Sequence, residues 1–153
     1  MIVYRISKTQ NIKDLSGTGA RIFGGRWNNK GVPLIYASES RALATLEYLV
    51  HVPLSLIPND LSLASIKIPD AIVPKKIVVS HLPKKWRDYP APARLAQIGT
   101  DWIIKNGTLL LRVPSAVVNG ECNILLNPSH RDMRQVKISK IEECTFDNRL
   151  FKK

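Results

Sequence analysis

The sequence predicts an α+β fold built on a mainly antiparallel sheet. β-rich runs recur from one end of the chain to the other, while only two stretches combine helical spacing with start and stop signals. The resulting order is strands, helix, strands, helix, strands, without the regular strand–helix alternation that marks a doubly wound parallel sheet. At 153 residues, with no repeat, linker or low-complexity segment, the chain is expected to be a single domain over 1–153.

Ile2 to Ile6 reads as the first strand, with Tyr4 and Arg5 on opposite faces. Ser7 to Phe23 is polar and glycine-containing and reads as a long loop. Within it, Ser16-Gly17-Thr18-Gly19-Ala20 invites a phosphate-loop reading, but no Gly-Lys-Ser/Thr ending follows. Gly31-Val32-Pro33 is a turn and Leu34 to Ala37 a buried strand. Ser38 or Ser40 then caps a helix running to about Val50, which Pro53 and Pro58 end. Leu61 to Ile68 and Ile77 to Val79 read as strands, and Pro83 to Pro92 as a turn-rich passage. A second helix spans Ala93 to Lys105, stopped by Asn106-Gly107. Leu109 to Val113, Asn123 to Leu126, Val136 to Ile141 and Thr145-Phe146 supply the remaining strands.

Hydrophobic content of 44% and charged content of 23% are those of an ordinary soluble protein. No apolar run is long enough to span a membrane, and the first residues lack the pattern of a signal peptide. A cytoplasmic protein with reduced Cys122 and Cys144 is expected. The formal charge of +11 favours polyanionic company: nucleic acid, a phosphorylated small molecule or an acidic protein. The charges are scattered, however, from Lys75-Lys76 and Lys84-Lys85 to Arg131, Arg134, Lys137, Lys140 and Lys152-Lys153, as on a solvated surface.

The densest chemistry lies between Gly24 and His51. In Gly24-Gly25-Arg26-Trp27-Asn28, two glycines allow close backbone approach. Arg26 offers a planar charged fork for phosphate or carboxylate. Trp27 adds a flat apolar face, and Asn28 a group that both donates and accepts. Downstream, Glu47 shares a helical face with Leu43, Leu46 and Val50. A carboxylate on an apolar stripe needs a partner or a task; the plain alternative is a surface glutamate.

These pieces resemble the RES-domain toxins of bacterial toxin–antitoxin pairs. The likeness rests on Tyr4-Arg5, the Ser16 to Ala20 run, Gly24 to Asn28, Ile35-Tyr36-Ala37-Ser38, and the helix with Ala44, Leu46-Glu47 and His51. It continues through Val113-Pro114-Ser115-Ala116 and Asn123 to Asn127-Pro128, then His130. The Arg, Glu and Ser of the family's name map onto Arg26, Glu47 and Ser115. The resemblance implies an ADP-ribosyltransferase-like fold that takes NAD as substrate, by hydrolysis, phosphorolysis or ADP-ribosyl transfer. It also implies an antitoxin with an Xre-like DNA-binding domain that blocks the pocket, so that nucleic acid is met only through the antitoxin.

Residue chemistry fits those expectations. Cleaving the nicotinamide–ribose bond develops positive charge on the ribose, which a preorganised carboxylate stabilises; Glu47 is the candidate. Arg26, with Arg5 as second candidate, suits the pyrophosphate; Arg5 reads equally as a surface strand residue. Tyr36 is placed to stack on nicotinamide or to sit in the core. Ser115 and Asn127 are candidates for the pocket lining, and both also read as turn residues. The expected set is therefore Arg26, Tyr36 and Glu47 for catalysis, with Arg5, Trp27, Asn28, Ser115 and Asn127 binding NAD. His51, His81 and His130 have no metal-ligand spacing, and no metal is expected. A basic nucleic-acid-binding or ribonuclease-type toxin is the competing reading, and an inert binding subunit a third. The acceptor of ADP-ribose and the oligomeric state, self-association included, stay open.

Overall fold

A computed structural model describes residues 1–151; Lys152-Lys153, the last of the scattered charges, lie outside the described residues. One sheet of seven strands carries the fold: β1 (Ile2–Lys8), β2 (Ile35–Ser38), β3 (Leu61–Lys67), β4 (Lys75–Lys76), β5 (Leu110–Pro114), β6 (Cys122–Leu126) and β7 (Lys137–Glu143). Their order is β4-β5-β6-β2-β1-β3-β7, antiparallel throughout except for the parallel β4–β5 pair. Three helices complete it: α1 (Thr18–Phe23), α2 (Arg41–Leu49) and α3 (Ala93–Lys105). The α+β class with a mainly antiparallel sheet is the one expected.

The sheet buries both faces. On one, Val3, Ile35, Ala37, Ala64, Ile66, Ile124 and Leu126 pack with Ile12, Leu109 and Val136. On the other, Leu34, Leu111, Val113 and Leu125 pack with Trp27, Trp86 and, from α3, Leu95, Trp102 and Ile103. β3 is covered on both sides, so Leu61 to Ile66 are all buried rather than alternating. The two halves of the sheet meet through β1 and β2 at the single pair Tyr4–Ser38. α2 packs across that junction, against both strands.

α2 starts where expected: Ser40 Oγ accepts from the Leu43 amide at 3.0 Å. Its phase differs from the expected one. Leu43 and Ala44 are buried, but Leu46 and Val50 are 41% and 56% exposed, so the inward stripe is Leu43, Ala44 and Glu47. Three other expectations are corrected. The Ser7–Phe23 stretch contains α1, which buries none of its residues and so shows no apolar period. It is organised by local bonds instead: Asp14 Oδ1 accepts from the Ser16 amide, and Ser16 Oγ from the Thr18 amide. The strand expected at Ile77–Val79 forms earlier, at Lys75–Lys76; Val78 and Val79 are half-exposed, and Val79–His81 is a single 3-10 turn. Thr145-Phe146 is not a strand. The Phe146 ring stacks on Tyr48 of α2 instead.

Candidate active site

Glu47 comes one helical turn after the buried Leu43, on the side of α2 that faces the β5 and β6 ends. Its Oε1 accepts two bonds, from Ser115 Oγ at 2.7 Å and from Asn123 Nδ2 at 2.6 Å. Both donors are themselves fixed. Ser115 Oγ accepts from the Val117 and Val118 amides at 3.0 Å each, and Asn123 Oδ1 accepts from Ser38 Oγ at 2.7 Å. Asn123 pairs with Ser38 across β6–β2 and with Val113 across β6–β5, so the sheet register delivers both polar groups to one spot. Among the described residues nothing bonds Oε2, and no unpartnered side-chain oxygen is buried, so Oε2 is open to solvent. One carboxylate oxygen is anchored and the other is free.

The Gly24–Asn28 segment forms a tight turn closed by a Gly25–Asn28 bridge, with Gly24 at φ 70°. A Cβ on Gly25 would lie 2.6 Å from the Tyr36 hydroxyl, so only glycine admits the tyrosine there. That hydroxyl accepts from the Trp27 amide at 3.0 Å and donates to Asn28 Oδ1 at 2.8 Å. Burial pushes its phenol above the ordinary value of 10. α3 supports the turn from below. A Cβ on Gly99 would lie 1.9 Å from the Trp27 carbonyl oxygen, and Thr100 Oγ1 accepts from the Asn29 amide at 3.0 Å.

Arg26 projects from this turn. Its Nη1 donates to the Trp86 carbonyl at 2.5 Å and its Nη2 to the Asp88 carbonyl at 3.2 Å. Burial lowers the guanidinium pKa, and the carboxylate charges of Glu47 and Asp88 oppose that. An open cleft of about 400 Å³, lined by Trp86, Arg87, Ser115, Asn119 and Glu121 among others, runs beside this group. A carboxylate with one free oxygen near a partly desolvated guanidinium can hold a ligand that is anionic at one point and becomes cationic at another.

The RES domain model matches residues 2–147 of this chain. The chain belongs to the RES-domain family. It is 39% identical over 149 residues to the "Prs ADP-ribosylating toxin" of Sphingobium sp. (strain YBL2), covering 96% of this chain and 92% of that protein. It is 38% identical over 147 residues to "Toxin Res" of Yersinia enterocolitica, covering 95% of each. Its fold is similar to that in the crystal structure of the M. tuberculosis MbcT–MbcA toxin–antitoxin complex, with TM-score 0.71, 20% identity, and coverage of 94% of this chain and 84% of that one.

Within this RES domain the expected residues fall into three groups. Arg26, Tyr36, Glu47 and Ser115 form one group beside the cleft, of which Ser115 lines it, and Tyr36 and Ser115 act inward. The Tyr36 hydroxyl braces the Arg26 turn, and the buried Ser115 hydroxyl carries three bonds that fix Glu47. Trp27 and Asn28 are 3% and 1% exposed; Trp27 is core, and Asn28 Nδ2 ties the turn to the Ala20 and Val32 carbonyls at 2.8 and 2.9 Å. Arg5 and Asn127 stand apart. Arg5 lies on the Val3–Ala64 face, opposite Tyr36, and its Nη1 donates to the Asp14 carbonyl. Asn127, wholly buried, donates to the Ile103 carbonyl and Asn106 Oδ1 at the end of α3. The sequence reading missed the roles of Asn123, Ser38, Thr100 and Gly99. Their contacts come from residues far along the chain, and the one local signal was Ser38 beside the true cap, Ser40. Among the described residues no group of acidic, histidine and cysteine side chains has the makings of a metal site, and Cys122 and Cys144 are free.

Proposed function

We propose that this RES domain, taken as one unit over 1–153, is the toxin of a toxin–antitoxin pair. It cleaves NAD at the nicotinamide–ribose bond in the cytoplasm. The observation that carries the reading is the Glu47 carboxylate, with Oε1 held by Ser115 and Asn123 and Oε2 left free. The names of the relatives and the matched toxin fold support it.

In this mechanism the bond from the ribose anomeric carbon to the nicotinamide nitrogen breaks. Its electron pair goes to the nitrogen, which leaves as neutral nicotinamide. The ribose is left cationic, and Glu47 Oε2 stabilises that charge as it develops. Because Oε1 is already fixed, the carboxylate needs no reorganisation at that moment. Arg26 holds the pyrophosphate, while Tyr36 and Asn28 keep its turn rigid. An acceptor oxygen or nitrogen then attacks the anomeric carbon and releases its proton. A protein acceptor is favoured by the name of the Sphingobium relative; water and phosphate complete the set.

The partner is an antitoxin, Xre-like, whose chain covers the Arg26 side of the cleft. Phe23 and Tyr89, next in sequence to the Arg26 turn and to its Asp88 acceptor, are 77% and 84% exposed, and the charge of +11 fits an acidic partner surface. The association rate should fall as salt rises. The ribonuclease-type reading loses the aromatic of its Lys84-Lys85-Trp86-Arg87 stretch, since Trp86 is buried. Expression without the partner, with cellular NAD measured as growth stops, tests the proposal. NAD should collapse before or with arrest; constant NAD in arrested cells overturns it.

A further inference from the structure

Arg26 donates to the carbonyls of Trp86 and Asp88, the two neighbours of Arg87. The Arg87 guanidinium lies 4.9 Å over the Trp86 ring and reaches across the cleft to donate to Asn119 Oδ1. Arg26 therefore fixes the short segment from whose middle Arg87 emerges. Among the described residues neither arginine is in an ion pair. Both are held by neutral acceptors, which orient a guanidinium without cancelling its charge. Each keeps further N–H donors, since the group carries five. The same cleft wall holds Ser115, which leads directly to Glu47, and the Glu121 carboxylate. A ligand bringing two adjacent negative charges past Glu121 needs a cation for each.

We propose that Arg87 is the second phosphate-binding residue of this site. It takes the adenosine-side phosphate of the dinucleotide, while Arg26 takes the nicotinamide-side phosphate. This rests on the NAD-cleaving reading above. Two arginines, one emerging from the Trp86–Asp88 segment and the other tied to it from the Gly24–Asn28 turn, match the two phosphates of a pyrophosphate. Stacking on Trp86 restricts the Arg87 side chain before the ligand arrives. Asn119 holds Arg87 from across the cleft and is a positioning residue.

The test compares NAD with nicotinamide mononucleotide, which has only the nicotinamide-side phosphate. Affinities for both are measured by calorimetry in the Glu47→Gln background, so that neither is consumed. Arg87→Ala should weaken NAD binding by about 10- to 100-fold, the loss of a charge-assisted pair, and leave nicotinamide mononucleotide within about twofold. Arg87→Lys should recover part of the loss, and Asn119→Ala should show a smaller, equally selective one. Arg26→Ala should weaken both ligands. Arg87 is exposed, so the melting temperature of Arg87→Ala should match its parent, and Asn119→Ala gives an independent reading. Equal losses for the two ligands, or no loss for either, overturn the assignment. No binding of either ligand in the parent, with no nicotinamide release by the unaltered chain, overturns the NAD reading instead.

Discussion

Asn123 and Asn127 sit at the two ends of one short strand, and they do different work. Asn123, at the start of β6, donates to Glu47 Oε1 and accepts from Ser38. Asn127, just past the end of β6, donates to the Ile103 carbonyl and to Asn106 and accepts from the Ser129 amide at 3.0 Å. Asn127 is the more buried of the two, and every bond it makes closes on the protein. Asn123 ends on a carboxylate whose other oxygen faces solvent. Residue type does not separate a site residue from a brace. What separates them is whether the hydrogen-bond chain closes within the fold or stops at a group that can still react.

Substitutions at the two ends should therefore separate activity from stability. Asn123→Ala frees Glu47 Oε1 from one of its donors and should lower turnover of NAD by about 10- to 100-fold through lost preorganisation, with a small fall in melting temperature. Asn127→Ala leaves the buried end of α3 short of a donor and should lower stability by about 2 kcal/mol, while turnover per folded molecule stays at the wild-type level. Chemical denaturation paired with steady-state rates reads both. If Asn127→Ala lost turnover with its stability intact, the contrast between the two ends would collapse. The smallest effect concerns Tyr36. Burial favours its neutral phenol, so the unfolded chain releases this proton first as pH passes 10. That contribution to stability is complete below pH 10 and declines above it. Tyr36→Phe should lose stability at neutral pH, where the bonds to Trp27 and Asn28 are gone, yet show a shallower decline between neutral and strongly alkaline pH. An unchanged alkaline slope would mean the phenol is not the group responsible.

How much of this was legible in the sequence follows from how local each feature is. The α2 cap is a contact of Ser40 with Leu43, and α3 with its Asn106 stop is likewise local; both were readable. So were the two glycines beside Arg26 and the carboxylate on an inward helix face. The phase of that face was misjudged because Leu46 and Val50 are apolar but exposed, and helical period alone cannot weigh Ala44 against Leu46. The partners of Glu47 lie 68 and 76 residues away, and those of Arg26 60 and 62 away. No period or spacing records such contacts; the strand register creates them. Asn127 drew notice, and Asn123 little, because Asn-Pro is a visible local signal whereas an Asn opening a strand carries none.

The most direct measurement of the central claim is nicotinamide release from NAD by the purified chain, wild type beside Glu47→Gln, with the melting temperature of each. Glutamine keeps the acceptor that Ser115 and Asn123 bond and removes the charge at the free oxygen. The expected result is release by the wild type, a fall of roughly two to three orders of magnitude in the variant, and a melting temperature that holds or rises. Equal release by the two proteins would contradict the assignment of Glu47 to the developing ribose cation. A collapsed melting temperature would assign it to the fold instead.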